Sequence, residues 1–196
     1  YVANTGAPLS EEGLETLLSS HRSPKRGNQI GRFGLGFKSL LRHKGCIDIF
    51  TGASDAIRFD PKRCQTEIKN TFKVTEAPGL RLAWALPESE RRADGVLDDL
   101  GWAETIIRVE VPDEELRDHL RQEIRAFPAE FLLFFPVATT LVLDDGKEPA
   151  RELRVEPGGD EQVLHDGNDV SRWRVAQREV GISDVRAISD ATHIHA

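Results

Sequence analysis

The sequence predicts an α+β fold built mostly from antiparallel strands, and three observations support this. Strand-like and helix-like segments come in groups rather than in strict alternation. Strand-like segments are separated by short turns, which only antiparallel neighbours can use. The 196 residues are 39% apolar and 30% charged, enough for one domain with a core, or one domain and a small appendage.

The chain opens on Tyr1-Val2-Ala3, which reads as the end of a strand, and closes on His193-Ile194-His195-Ala196 without a turn or polar tail. Both ends predict a fragment of a larger protein. "APLSEEGLETLLSS" reads as a short helix. Ser10 can cap it, Glu11 and Glu12 suit the positive end of its dipole, and Leu14, Leu17 and Leu18 share a face. After the polar loop "SSHRSPKRGNQI", the segment "FGLGFKSLLRH" predicts a second helix with Phe37, Leu40 and Leu41 on one side and Gly45 as its stop.

Strands follow. "CIDIF" and "AIRFD" flank "TGASD", a hairpin spacing. "TFKVTE" and "LRLAWAL" predict another antiparallel pair around Pro78-Gly79, and "PESERRADG" a polar loop. "ETIIRVEV" alternates as a half-buried strand does. Pro112-Asp113 opens a helix to about Phe127, lined by Leu116, Leu120 and Ile124. "PAEFLLFFP" reads as a short apolar helix, followed by a strand, an Asp145-Gly146 turn and a return strand. "GGDEQVLHDGND" reads as loop, "SRWRVAQREV" as a strand and "THIHA" as a candidate strand. The boundary falls between residues 1–111 and 112–196, the latter either continuing the same domain or starting a transducer-like unit.

Composition excludes several function classes. No apolar run approaches the roughly 20 residues of a membrane span, and no signal peptide is visible. Cys46 and Cys64 make no disulfide framework and have no metal-ligand spacing, which favours a cytoplasmic origin. Cys46, inside "CIDIF", is expected in the core. His193 and His195 could share a strand face, but with no third ligand nearby an ordinary strand face explains them better. The net charge of −7 argues against nucleic acid as a partner.

The informative stretch is "GNQIGRFGLGFKSLLRHKG". Its glycines, Gly31, Gly34 and Gly36, are spaced G-x-x-G-x-G, the reverse of the dinucleotide fingerprint, and no strand leads into them. A P-loop would need lysine directly after its last glycine, but Phe37 precedes Lys38 and Ser39. That residue would turn the lysine about 100° around a helix. An anion site built from free N–H groups at a helix start remains open. From Thr16 to Ile47 there is no acidic residue, while Arg22, Lys25, Arg26, Arg32, Lys38, Arg42 and Lys44 contribute +7. A solvated basic face is the competing explanation.

"IGRFGLGFKS" resembles the second glycine motif of the GHKL ATPases, closest to the ninety-kilodalton heat-shock chaperones and the sacsin-type ATP-binding domains. "VANTGAPL" is similar to that superfamily's first motif, D-x-G-x-G, with Asn4 at the aspartate, Gly6 at the first glycine and Pro8 at the second. The resemblance covers roughly residues 1–111. It implies a Bergerat-type two-layer α/β sandwich, a mostly antiparallel mixed sheet with helices on one face and ATP between the layers. Adenine would sit by Asn4, Gly6 and Thr105. Asn4 would accept from the adenine amino group through its side-chain carbonyl oxygen, without the charge-assisted part of the bond. Thr105 could bridge to the base or to Asn4, or be an ordinary β-branched strand residue. Phosphates would meet the backbone around Gly31, Phe33, Gly34, Leu35, Gly36 and Phe37, with Lys38, Ser39 and, from the lid, Lys25.

The resemblance also implies Mg²⁺, but the family's metal-binding asparagine and catalytic glutamate would stand on a helix ahead of Tyr1. No catalytic residue and no metal ligand is therefore assigned. The activity implied for the parent is ATP hydrolysis in an ATP-gated conformational switch, with ATP-driven homodimerisation and a protein client. The alternative is a degenerate, non-catalytic interaction or scaffold module, favoured by Asn4 and Pro8.

Overall fold

The computed structural model describes residues 1–18, 39–40, 45–52, 55–79, 81–135, 138–158 and 160–176. The chain divides into two compact units, Tyr1–Arg117 and Asp118–Ala196. Each is α+β or β-rich in its own way, and each has its own antiparallel sheet.

In the first unit the strands are β1 (Val2–Asn4), β2 (Ile47–Thr51), β3 (Asp55–Phe59), β4 (Trp84–Ala85) and β5 (Thr105–Val109), in the order β1-β5-β2-β3-β4. Every neighbouring pair is antiparallel. The helices are α1 (Glu11–Leu18), α2 (Pro61–Phe72), α3 (Glu88–Arg92) and α4 (Gly95–Asp99). Because strand side chains alternate, the sheet has two distinct faces. One face carries Ile47, Ile49 and Phe59, packed against Leu14, Leu17 and Leu18 of α1 and against Leu40. The other carries Phe50 and Ile106, packed against Leu86, Leu97 of α4 and Leu100.

Ser10 caps α1 as the sequence suggests, its Oγ accepting from Gly13 N–H at 3.1 Å. The C-terminal end of α1 has no basic residue of its own. Arg81 supplies the cation instead, donating to the Leu18 carbonyl at 2.9 Å. Glycine is required at position 45, where an added Cβ would lie 2.1 Å from the Glu110 carbonyl oxygen. This close approach lets the Glu110 N–H reach the Cys46 carbonyl at 2.9 Å and locks β5 to the start of β2.

The second unit takes up α5 (Glu114–Arg125), which begins in the first unit. It continues with a 3₁₀ helix (Ala129–Phe134) and the strands β6 (Thr140–Leu143), β7 (Arg151–Gly158), β8 (Glu161–Asp166) and β9 (Asp169–Trp173). The four strands form a meander in chain order. Leu153 and Leu164 point to one face and bury against Ala129, Leu132 and Leu133 of the 3₁₀ helix. Asp113 caps α5 through the Leu116 N–H at 2.9 Å, and Leu116, Leu120 and Ile124 make its half-buried stripe.

The expected hairpin of "CIDIF" with "AIRFD" is β2–β3, the "ETIIRVEV" strand is β5, and the antiparallel α+β pattern holds. Several expectations are corrected. "TFKVTE" is not a strand: Thr71 and Phe72 end α2, and the partner of β4 is β3. Helix α2 starts where Asp60 accepts from Arg63 N–H at 3.0 Å and Pro61 takes the first turn. It stops at Lys73, whose φ of 54° is left-handed. These end signals outweigh the β-branched residues that follow. "PESERRADG" is not a loop, since it forms α3 and leads into α4, capped by Asp94.

"GGDEQVLHDGND" contains β8 and the first residue pair of a hairpin. Gly167 and Asn168 form the two-residue turn, and the φ of 57° at Gly167 explains the glycine. Helical residues cover both faces of the first sheet, not one, and that sheet is wholly antiparallel among the described residues rather than mixed. Cys64 is the fully buried cysteine, while Cys46 is only partly covered. The expected second helix lies outside the described residues except for Ser39 and Leu40, as does the candidate strand "THIHA".

Candidate functional site

Three strands end together at one corner of the first sheet. Asn4 of β1 is the cross-strand partner of Thr105 of β5, and Thr105 is in turn the partner of Thr51 of β2. Directly paired residues point to the same face, with Cβ atoms about 5 Å apart. Asn4, Thr105 and Thr51 thus form a polar row at the end of the face that α1 covers.

The turn after β1 folds over this row. Asn4 Oδ1 accepts from Gly6 N–H at 3.0 Å, an Asx turn. A Cβ at position 6 would lie 3.0 Å from the same oxygen, so any other residue there would press on the Asn4 side chain. The chain then returns to the row, Leu9 N–H donating to Thr51 Oγ1 at 2.6 Å. That bond leaves the Thr51 hydroxyl its own proton to donate. Among the described residues, Asn4 Nδ2 and Thr105 Oγ1 make no hydrogen bond. Asn4 is exposed, and Thr105 and Thr51 are half-buried.

Of the residues singled out in the sequence, the structure brings Asn4, Gly6 and Thr105 into one corner across a hundred residues of chain. It adds Thr51, which sequence reading missed because a threonine closing an apolar strand carries no signal by itself. Lys25, Gly31, Phe33, Gly34, Leu35, Gly36, Phe37 and Lys38 lie outside the described residues, and Ser39 is exposed. Leu40, just beyond them, packs on the face that bears the polar row.

The opposite face of the same sheet holds a second polar group, also missed. Asp48 is 3% exposed and receives two arginines. Arg58 Nε donates to its Oδ1 at 2.7 Å, and Arg108 Nη2 to its Oδ2 at 2.7 Å. Arg108 also pairs with Asp94, which accepts from the Tyr1 hydroxyl at 2.7 Å, and Arg58 reaches Glu90 at 2.8 Å. Burial opposes ionisation of Asp94, but the hydrogen bonds from Tyr1 and Arg108, with the charge of Arg108, hold its carboxyl below the ordinary range. Burial and then Asp94 push the Tyr1 hydroxyl up. A signal existed: Asp48, Arg58 and Arg108 each sit between two apolar neighbours inside a strand, where one charge demands another.

Beside this group a shallow cavity of about 260 Å³ opens between Arg58, Trp84, Leu86 and Glu90, with Arg63 stacked 4.3 Å over the Trp84 ring. Its Arg58 and Glu90 are already paired to each other, and Asp60 is engaged by the α2 N-terminus. Burial first, then the carboxylates of Asp60 and Glu110, push the Cys46 thiol up to about 11, so it is a poor nucleophile at neutral pH. Among the described residues no cluster of His, Cys, Asp and Glu could hold a metal, and no helix is long and apolar enough to cross a membrane.

Compared with protein-family models, curated proteins and solved structures, the chain matched none.

Proposed function

We propose that the first unit is a nucleotide-binding domain of the GHKL type, a Bergerat-like α/β sandwich that takes a nucleoside triphosphate with Mg²⁺, ATP being the ligand the sequence resemblance implies. The observation that carries this reading is the pairing of Asn4 with Thr105, under a turn that Gly6 closes. The resemblance gives these residues one base subsite, and they share one corner of one sheet. The phosphates would be met by the glycine-rich stretch 31–37 with Lys38, Ser39 and Lys25. In this reading the domain is an ATP-gated switch in a larger cytoplasmic protein, acting as a homodimer on a protein client, with hydrolysis supplied by groups not assigned in this chain.

A second reading is a non-catalytic interaction module of the same ancestry. The specific observation favouring it is that Asn4 Oδ1, the atom that would accept from adenine, already accepts from Gly6 N–H. Isothermal titration of ATP with Mg²⁺ into the protein separates the two. Saturable heat that Gly34→Val with Gly36→Val abolishes supports the first reading, and no heat at millimolar ligand supports the second.

A further inference from the structure

We propose that the base subsite at Asn4 prefers a 6-oxopurine nucleoside triphosphate, such as ITP or GTP, over ATP. This inference rests on the nucleotide-binding reading above and specifies which base that site takes.

The argument starts from the Asx turn. Gly6 N–H can only be met by an acceptor, and the Asn4 carboxamide has one acceptor atom, Oδ1, at 3.0 Å. That bond fixes which way round the planar amide sits. Oδ1 occupies the corner next to Gly6, and the NH₂ group occupies the other corner. A carboxylate in the same turn would offer an oxygen at both corners. One would serve Gly6 and the other would accept from a 6-amino group. With asparagine, the second corner is a donor.

An adenine amino group brought to that corner sets donor against donor; the amide's acceptor lies at the other corner, where Gly6 N–H engages one lone pair of Oδ1 and adenine would have to share the second. A purine with a carbonyl at C6 sets an acceptor against Nδ2–H. The adjacent ring position does not oppose the exchange. N1 is an acceptor in adenine and an N–H in hypoxanthine and guanine. The Thr105 hydroxyl, the cross-strand partner of Asn4 and without a bond among the described residues, can serve either because it both donates and accepts. Thr51 adds a second donor to the row, since its oxygen is engaged by Leu9 N–H. Asn4 is the group that distinguishes the bases, and it is a specificity residue rather than a catalytic one.

The test is isothermal titration of ITP, GTP and ATP, each with Mg²⁺, into the whole protein and its Asn4→Asp variant. ITP differs from ATP only at C6 and N1, so it isolates the position in question. Asn4 is exposed, and aspartate keeps an acceptor for Gly6 N–H, so the variant retains the turn. ITP is expected to bind about tenfold tighter than ATP, the effect of one net hydrogen bond. GTP should follow ITP, and Asn4→Asp should reverse the order. ATP binding as tightly as ITP or tighter, or an order unchanged by the variant, overturns the base preference and leaves the nucleotide-binding reading in place. Failure of all three nucleotides to bind at millimolar concentration overturns both.

Discussion

The two units stabilise their sheets by opposite means. The first buries a charge in the middle of its sheet, while the buried residues of the second, among those described, are all hydrocarbon. The cause is the number of faces covered. Helical residues lie on both faces of the first sheet, so either parity of strand residue is buried. A polar residue at Asp48 then has no route to solvent and must be satisfied inside the protein. Arg58 on β3 and Arg108 on β5 do this from both sides, and Asp94 extends the chain of charges to the start of α4. In the second unit the 3₁₀ helix covers one face. The other face carries the cross-strand row Thr140, Arg154, His165 and Val170, where Glu156 pairs with Arg154 at 2.8 Å on the surface.

A buried charge network is poor evidence of net stability, but it is costly to break from one side. Its value in the first unit is specificity, since only one register of β2, β3 and β5 places Asp48 between the two arginines. Asp48→Ala removes the carboxylate that two guanidinium groups on the covered face share, leaving Arg58 only Glu90 and Arg108 only Asp94. It is expected to cost about 4 kcal/mol in urea unfolding. In native-state hydrogen exchange the loss should appear in β2, β3 and β5. Protection in those strands equal to that of the unsubstituted protein would show that Asp48 is as well off in solvent as in the sheet, and the contrast between the units would disappear.

The matching change in the second unit is Leu153→Ala. Leu153 is fully buried against Leu132, Leu133 and Leu164. Removing its side chain should cost about 3 kcal/mol, through lost transfer energy and an unfilled cavity. The exchange rates of β7 and β8 should report this cost. A smaller loss than that of Asp48→Ala is the ordering the comparison predicts, and the reverse ordering would mean that the hydrocarbon core of the second unit is the more demanding of the two.

The same contrast decides what could be read from the sequence. Segments whose periodicity and end signals agree were legible: α1 with its Ser10 cap, the β2–β3 hairpin, β5 and α5 with Asp113. Helix α2 was not. It buries only Cys64 and half-buries only Pro61 and Ile68 along its length, so it presents almost no apolar stripe, and its Asp60-Pro61 start was the one usable sign. β8 was hidden by the glycines and acids around it, although Gly167-Asn168 is a two-residue hairpin signal. Of the polar row at the sheet corner, Asn4, Gly6 and Thr105 are singled out by the family resemblance alone, and strand pairing sets Asn4 beside Thr105. Thr51 could not be found from sequence, and for the Asp48 group only a charge between apolar strand neighbours was visible, because the partners of each are set by which strands become neighbours. The pairing of β2 with β5 joins segments that lie more than fifty residues apart in the chain.

The smallest expected effect concerns an acid that lies off the covered face. Asp145, in the loop between β6 and β7, accepts from the N–H groups of Glu148 and Lys147, each at 2.9 Å, and pairs with Arg125 at the end of α5. These bonds hold its carboxyl at about 2, against an ordinary value of 3.8. The depressed value fixes the sign of the pH dependence. The ionised form is the one the folded loop favours, so its contribution is complete above about pH 4 and is lost as the pH falls towards 2. Asp145→Asn should therefore flatten part of the acid limb of the second unit between those limits and leave the stability of β2, β3 and β5 unchanged. A carboxyl carbon resonance for Asp145 that titrates near 3.8 would show that the loop does not hold the charge, and that the electrostatics of the second unit do not extend to its surface turns.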